Sequence, residues 1–237
     1  MNLLIIIPTF NESQNIEPLI RTTFHMTSIS LDPHILVVDD NSPDGTAAIV
    51  EKLIRSQFTD RLFLMVRNRK SGLGTAYIEG FQWGLQHGYQ FLAEMDADFS
   101  HRPEYLPQMM LQTEQYECII GSRYVPGGGV KGWGPLRKII SKGGSVYAGI
   151  ILGLPIQDLT GGFNIWKRTV LEAIDLSSVK SEGYAFQIEL KYRAFKKGFR
   201  LHEVPIIFED RRQGKSKMSK AIILEAIYRV WQLKMIV

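Results

Sequence analysis

Asp96-Ala97-Asp98 follows the apolar run Phe91–Met95 directly, so two carboxylates leave what reads as a strand end with alternate side chains on the same side. Paired hard oxygens in that setting suit a divalent cation, Mg2+ or Mn2+, bridging a diphosphate. As a bare pattern Asp-x-Asp is weak and more often marks solvated loop acids or a helix cap, here before Pro103. Its position after a buried strand favours the metal reading. A second acidic cluster, Asp39-Asp40-Asn41-Ser42-Pro43-Asp44-Gly45, stands at another strand end. Asp44 and Thr46 suit an ordinary turn and helix cap, which leaves Asp40 as an acceptor for a base or a ribose. Gly72-Leu73-Gly74 precedes a helix, but neither the dinucleotide fingerprint nor the Walker pattern is present, so both of those phosphate-binding modes are rejected.

The elements that must position these groups follow a β-α-β rhythm. Leu3–Ile7, Ile35–Val38, Phe63–Val66 and Phe91–Met95 are short apolar runs. Ile16, Leu19, Ile20, Thr23 and Phe24 fall at helical spacing after the capping candidates Asn11 and Ser13. Further helices are predicted over about Thr46–Ser56 and Thr75–His87. The predicted class is α/β: a Rossmann-like, mixed but mostly parallel sheet with helices on both faces. Ligands of such sheets bind beyond the carboxyl ends of the strands, where Thr9 to Glu12, Asp39 to Asp44 and Asp96 to His101 cluster. After Ser122 the pattern changes to a Gly127-Gly128-Gly129 loop, helices around Leu136–Leu152 and Ala185–Lys197, and a strand pair split by Pro205. One domain over 1–237 is expected, with a nucleotide-binding half at about 1–122 and an acceptor half at about 123–237.

With 237 residues, 45% of them hydrophobic, the chain is long enough for a full core. Its single cysteine, Cys118, excludes an internal disulfide framework and suits a reducing compartment. Met1 runs into Leu3-Leu4-Ile5-Ile6-Ile7 without a basic region or cleavage site, which argues for a strand and against a signal peptide. No stretch approaches the roughly 20 uncharged apolar residues of a membrane span, so a cytoplasmic protein in peripheral contact with a membrane is expected. Net charge is +4, compatible with anionic small molecules, lipid headgroups or nucleic acid. No aromatic-interleaved basic strand supports a nucleic-acid partner, and none is expected.

Four blocks occur in order: Ile7-Pro8-Thr9-Phe10-Asn11-Glu12, Val38-Asp39-Asp40-Asn41-Ser42-Pro43-Asp44-Gly45-Thr46, Gly72-Leu73-Gly74-Thr75-Ala76-Tyr77 and Met95-Asp96-Ala97-Asp98. Gly121-Ser122-Arg123-Tyr124, Arg137-Lys138-Ile139-Ile140-Ser141, Asp158-Leu159-Thr160-Gly161-Gly162-Phe163, Gly183-Tyr184-Ala185-Phe186-Gln187 and Arg211 to Lys217 continue the series over nearly the whole chain. Together they resemble the dolichol-phosphate and polyprenol-phosphate mannose synthase branch of the family 2 glycosyltransferases, which have the GT-A fold. The resemblance implies that Pro8, Phe10, Glu12, Val38 and Asp40 hold the guanosine of GDP-mannose. It implies that Asp96, Ala97 and Asp98 take the diphosphate and its Mg2+ or Mn2+, while Ser100, a departure from the family near the metal, ligates through water or not at all. Arg123, Arg211 and Lys217 match basic residues around the diphosphate, so Asp98, Arg123 and Arg211 are the catalytic candidates. Arg137 and Ser141, four apart on one helical face, match positions that grip the lipid phosphate. Phe10 departs from the family's usual tyrosine and Ser100 from a glutamine of some relatives. Phe10 still offers a ring for stacking.

The implied reaction is inverting transfer of mannose to a polyprenyl or dolichyl phosphate, giving β-mannosyl phosphoryl polyprenol. The apolar helix with Leu136, Ile139, Ile140, Val146, Tyr147, Ile150 and Ile151 begins among Lys131, Arg137, Lys138 and Lys142 and suits a membrane surface. An amphipathic C-terminal helix has Ile223, Ile227, Val230 and Trp231 on one face, and docking on the protein's own core is its alternative. Some relatives use a small membrane-anchoring subunit, so such a partner is expected as a means of attachment. Three rivals remain open. One is a polyprenyl-phosphate transferase with a UDP-sugar donor (glucose, N-acetylglucosamine or aminoarabinose). Another transfers to a hydroxyl, with Glu182, Glu189 or Asp158 as general base. The last is a non-catalytic nucleotide-sugar-binding module.

Overall fold

The N-terminal apolar run forms a fully enclosed strand, β1 (Leu3–Thr9), in which only Pro8 reaches partial exposure. Both faces are covered because the chain leaves and re-enters the sheet through helices, as parallel neighbours require. The structure, a computed structural model, describes residues 2–27, 31–210 and 228–235. In chain order the elements that follow are α1 (Ile16–Thr27), β2 (His34–Asp39), α2 (Thr46–Ser56), β3 (Leu62–Val66), α3 (Leu73–Gln86), β4 (Phe91–Glu94), α4 (Leu106–Leu111), β5 (Cys118–Ser122) and β6 (Gly129–Lys131). Then come α5 (Pro135–Leu152), β7 (Asn164–Lys167), α6 (Arg168–Ala173), α7 (Gly183–Lys196), β8 (Leu201–Pro205) and β9 (Ile207–Glu209).

Seven strands form one sheet in the order β3-β2-β1-β4-β7-β5-β8. All neighbours are parallel except β7, which runs antiparallel to both β4 and β5. The chain steps outward from β1 to β2 and β3, then returns to place β4 on the other side of β1. Strand order therefore reverses between β1 and β4, and the crevice beyond their carboxyl ends is the ligand position of an open α/β sheet. β6 and β9 form a separate parallel pair.

Alternate residues of each strand feed two layers. Leu3, Ile5 and Ile7 pack with Ile16, Leu19 and Ile20 of α1, Val50 and Leu53 of α2, and Met109 and Met110 of α4. Leu4 and Ile6 pack on the other face with Ala76, Tyr77 and Phe81 of α3 and Phe186 and Leu190 of α7. A third cluster joins Ala148 and Leu152 of α5 to Ile188 and Tyr192 of α7 and to Val230 and Leu233.

The expected architecture is present, with two corrections. The strands flanking Pro205 are not a pair: β8 joins β5 in the main sheet and β9 joins β6, because proline cannot donate a ladder hydrogen bond and the chain changes sheets there. Val230 and Trp231 do not share a face, since Val230 is buried while Trp231 is 52% exposed; Ile223 and Ile227 lie outside the described residues. The described turns of that helix, 228–235, dock on the protein's own core through Val230 and Leu233. Among the described residues no helix is long and apolar enough to cross a membrane.

Candidate active site

A cleft of about 350 Å3 opens at the reversal of strand order, and Pro8, Phe10, Glu12, Asp40, Asp96, Ala97 and Asp98 all line it. The four acidic residues follow the ends of β1 (Glu12), β2 (Asp40) and β4 (Asp96 and Asp98), so polar groups far apart in sequence converge because parallel strands end on the same edge. Val38, by contrast, is fully buried in the core under α3. Arg211 and Lys217 lie outside the described residues.

The floor of the cleft is organised by Asp39, a completely buried carboxylate. It accepts hydrogen bonds from Thr9 Oγ1 at 2.7 Å, from Ser42 N at 2.8 Å and from Ser42 Oγ at 2.7 Å, tying the end of β1 to the loop after β2. Asp44 accepts from Thr46 N and Ser13 N, which makes it the expected turn-former. Asp40 is different, because its partner is a cation. Arg67, just past the end of β3, donates from Nη1 to Asp40 Oδ1 at 2.8 Å and from Nη2 to Thr75 Oγ1 at 2.6 Å. Burial raises the Asp40 pKa above the usual carboxylate value, and Arg67 works against that rise. On the facing wall the Lys70 ammonium sits 4.0 Å from the centroid of the Phe10 ring.

Asp96 is gripped from the core. The Tyr77 hydroxyl donates to Asp96 Oδ1 at 3.1 Å, and the Asp96 backbone N–H donates to His101 Nδ1 at 3.0 Å. His101 is buried and stacked on Phe163. Burial lowers its pKa, so the ring is neutral, and since Nδ1 accepts, its proton is on Nε2. Asp98 accepts from Ser100 N at 3.1 Å, which closes the turn after the pair. Ser100 Oγ is buried and has no hydrogen-bond partner among the described residues. No cluster of three or more His, Cys, Asp or Glu side chains suited to a metal occurs among the described residues. Two carboxylates in a diphosphate-sized cleft nevertheless match the donor set of Mg2+ or Mn2+, which take one or two protein carboxylates and complete their shell with phosphate oxygens and water.

The opposite wall is the loop between α5 and β7, whose Thr160 and Gly162 reach the cleft. Two buried cations hold it. Arg123 makes a bidentate pair with Asp158, Nε to Oδ2 and Nη2 to Oδ1, both at 2.7 Å, and donates a further bond to Thr160 Oγ1 at 2.9 Å. Arg123 is thus 6% exposed and engaged beneath the wall, outside the cleft lining. Asp158 is fully buried; burial pushes its pKa up, and Arg123 and Lys191 together more than offset this, so it lies below the usual value. Lys191, on α7, is also fully buried and donates to the carbonyls of Asp158, Leu159 and Gly161 at 3.3, 3.1 and 2.6 Å. Beside it Glu94 accepts from Asn164 Nδ2, Gln187 Nε2 and Trp166 Nε1, and burial raises its pKa to about 7.

Two of the three candidate general bases are already committed to cations. Asp158 is committed to Arg123, and Glu189 to Arg193 at 2.6 Å. Glu182 stands at the start of α3, where a Cβ on Gly72 would meet its Oε2 at 2.2 Å; with φ +102°, Gly72 admits no other residue comfortably. On α5, Arg137 lies 4.1 Å above the Trp133 ring and pairs with Asp210 at 3.0 Å, while Ser141 Oγ accepts from the Tyr124 hydroxyl at 2.7 Å. Both are outside the cleft lining. Arg67, Tyr77, His101 and Lys191 were not singled out by the sequence. A polar residue directly after an apolar run, the rule that selects Asp40 and Asp96, would also have selected Arg67.

Comparison with known proteins fits this geometry. Residues 4–175 match the family described as Glycosyl transferase family 2. The chain is 48% identical over 228 residues to "Polyprenol monophosphomannose synthase" of Mycolicibacterium smegmatis, covering 96% of this chain and 84% of that protein. It is 44% identical over 230 residues to "Undecaprenyl-phosphate mannosyltransferase" of Micrococcus luteus, covering 97% and 93%. Among solved structures, glucosyl-3-phosphoglycerate synthase from Mycobacterium tuberculosis superposes with a TM-score of 0.74 at 15% identity, covering 100% of this chain and 81% of that one. Mannosyl-3-phosphoglycerate synthase from Rubrobacter xylanophilus gives 0.70 at 16% identity, covering 98% and 73%. The former enzyme has also been solved with Mn2+ and UDP.

Proposed function

The chain belongs to glycosyl transferase family 2, and from that premise we propose that it transfers mannose from GDP-mannose to the phosphate of a polyprenyl lipid, with inversion and with Mg2+ or Mn2+. The observation that carries the reading is that Asp40, from the end of β2, and Asp96 and Asp98, from the end of β4, meet in one cleft, in a chain nearly half identical to two polyprenyl-phosphate mannosyl enzymes.

In this reading Phe10 stacks on the base and Asp40, held by Arg67, accepts from the base or ribose. Asp96 and Asp98 hold the metal ion, which when bound neutralises charge on the leaving diphosphate. Tyr77 and His101 fix the Asp96 side chain and backbone from behind, as outer partners do for ligating carboxylates. Thr160 and Gly162 form the sugar-side wall, and Arg123 acts through it, positioning Thr160 and Asp158. A phosphate monoester is ionised at neutral pH, so it attacks the anomeric carbon without a general base. The engagement of Asp158 and Glu189 in ion pairs supports that choice of acceptor over a hydroxyl. A single displacement then yields the β-linked product. The apolar side chains Leu136, Ile139, Val146 and Ile150 on α5 are 51 to 77% exposed and lie beside Lys138 and Lys142, which supports peripheral attachment to an anionic membrane.

The test is transfer of label from radiolabelled GDP-mannose to an organic-soluble polyprenyl phosphate, comparing wild type with Asp98→Ala and with chelator. Label in the lipid phase that vanishes in both controls is expected. Transfer from UDP-sugars alone would sink the donor assignment, and no transfer from any donor would sink the enzyme reading.

A further inference from the structure

The loop between β3 and α3 borders the cleft and is pinned at both ends. Arg67 N donates to the Asp39 carbonyl at 2.8 Å, while its guanidinium holds Asp40 and Thr75. At the far end Asp40 takes a hydrogen bond from the Ser71 backbone, and Thr75 Oγ1 donates to the Ser71 carbonyl at 2.9 Å. The exposed side chain of Lys70 is carried between these anchors. Its ammonium lies 4.0 Å from the centroid of the Phe10 ring, and both side chains line the cleft. Among the described residues no carboxylate closes an ion pair with Lys70, so the ring is what holds it, and a cation on an exposed ring is held weakly.

Phe10 therefore has an acceptor and a donor beside whatever stacks on it. Burial raises the Asp40 pKa, and Arg67 and then Lys70 act against the rise, so the ammonium and the carboxylate lie close enough to feel each other. The two groups ask for complementary neighbours on a base: a C=O for Lys70 next to an N–H for Asp40. Guanine has that order in O6 and N1–H, and uracil has it in O4 and N3–H. Adenine reverses it, with an amino group at C6 and a bare N1.

We propose that Lys70 is a specificity-determining residue of the donor site, its ammonium donating to guanine O6 while Asp40 accepts from N1–H, so that the pair reads an N–H beside a C=O. The inference rests on the assignment of Phe10 and Asp40 to the base. A base that stacks on Phe10 displaces the ammonium from the ring, and the flexible four-carbon stem carries it to the base's rim. Lysine on guanine O6 and N7 is a common specific contact for the same reason of matched donor and acceptors. An adenine placed there would set its amino group against the ammonium, donor facing donor, and its bare N1 against the carboxylate, acceptor facing acceptor. Both mismatches leave polar groups without partners, which is how a site rejects a wrong base.

The experiment is calorimetric titration of the full chain with GDP, IDP, ADP and UDP in the presence of Mg2+, for wild type, Lys70→Met and Lys70→Arg. Lys70 is exposed, so both variants should fold, and a ratio of affinities within one protein does not depend on the fraction folded. Wild type should prefer GDP and IDP to ADP. Lys70→Met should lose about ten-fold of that preference through weaker GDP and IDP binding, the usual effect of deleting a charged hydrogen-bond donor. IDP keeps O6 and lacks the 2-amino group, so it should lose as much as GDP, and Lys70→Arg should keep the preference. An equal loss for all four nucleotides would put the ammonium on the diphosphate and overturn the proposal, as would an unchanged ratio of GDP to ADP affinity. Tighter binding of UDP than of GDP by wild type would sink the guanine donor instead; a ten-fold loss of UDP affinity in Lys70→Met, with ADP unaffected, would then still uphold Lys70 as the reader of the C=O.

Discussion

Lys191 donates to the carbonyl of Gly161 at 2.6 Å from a side chain with no solvent exposure. An ammonium buried this deeply costs free energy unless its donors are matched, and here three carbonyls of one short loop match all three. Burial still lowers its pKa.

Lys191→Met should therefore leave three loop carbonyls without their donor and destabilise the protein by roughly 3 kcal/mol. The melting midpoint should fall by roughly 6 to 12 °C for a chain of this size. An unchanged midpoint in a thermal scan would show that the loop holds itself.

Tyr77→Phe removes one hydroxyl and keeps the ring stacked on Phe186. Asp96 loses a hydrogen-bond donor but the core keeps its volume, so the fold should survive. The Mn2+ concentration giving half-maximal transfer should rise about ten-fold or more, the usual effect of losing an outer partner. Identical metal titrations for the two proteins would remove Tyr77 from the site.

Arg67→Met leaves Asp40 buried without its cation. Arg67 restrains the upward pKa shift that burial imposes on Asp40, so in the variant the carboxyl keeps its proton to higher pH. GDP affinity should fall about ten-fold near neutrality and recover as pH rises and Asp40 ionises. Calorimetric titrations across pH 6 to 9 read this directly. A pH-independent loss would mean that Arg67 itself, rather than Asp40, contacts the nucleotide.

Glu94 gives a pH dependence of the opposite sign to most carboxylates. Its folded pKa is raised from 4.5 to about 7, so between these values the folded protein holds a proton that the unfolded chain has released. Stability from this group is complete below about pH 4.5 and declines as pH rises towards 7, by on the order of 3 kcal/mol in total. Relative to Glu94→Gln, the wild type should lose stability across that interval in urea titrations. A constant difference between the two proteins at all pH values would mean that Glu94 is ionised throughout.

Much of the fold and cleft can be read from order along the chain. Asp40, Asp96 and Asp98 each follow an apolar run, and the ends of parallel strands must gather on one edge. Arg67 obeys the same rule but stands alone, without the acidic neighbours that draw attention to the others. Lys191 is four residues after Gln187 on α7, so helical spacing puts both on one face, yet a lysine on a helix ordinarily reads as solvated surface. The family resemblance predicts Arg123 beside the diphosphate. Its partner Asp158 is 35 residues away, and no local pattern announces an ion pair closed over that distance. The exposure of Trp231 opposite Val230 follows from the 100° between consecutive helical residues, which overrides a grouping by hydrophobicity alone.

The antiparallel strand β7 sits between β4 and β5 although it follows both in the chain. During synthesis the first four strands can assemble as they emerge, but β5 has no place beside them until β7 arrives some 40 residues later. The nascent chain must therefore carry an unpaired β4 edge and an undocked β5 at the ribosome, and only the arrival of Asn164–Lys167 closes the gap. A stalled or truncated product ending before that strand would present an open edge to other chains, which makes β7 the point at which translation commits this protein to its own fold rather than to aggregation.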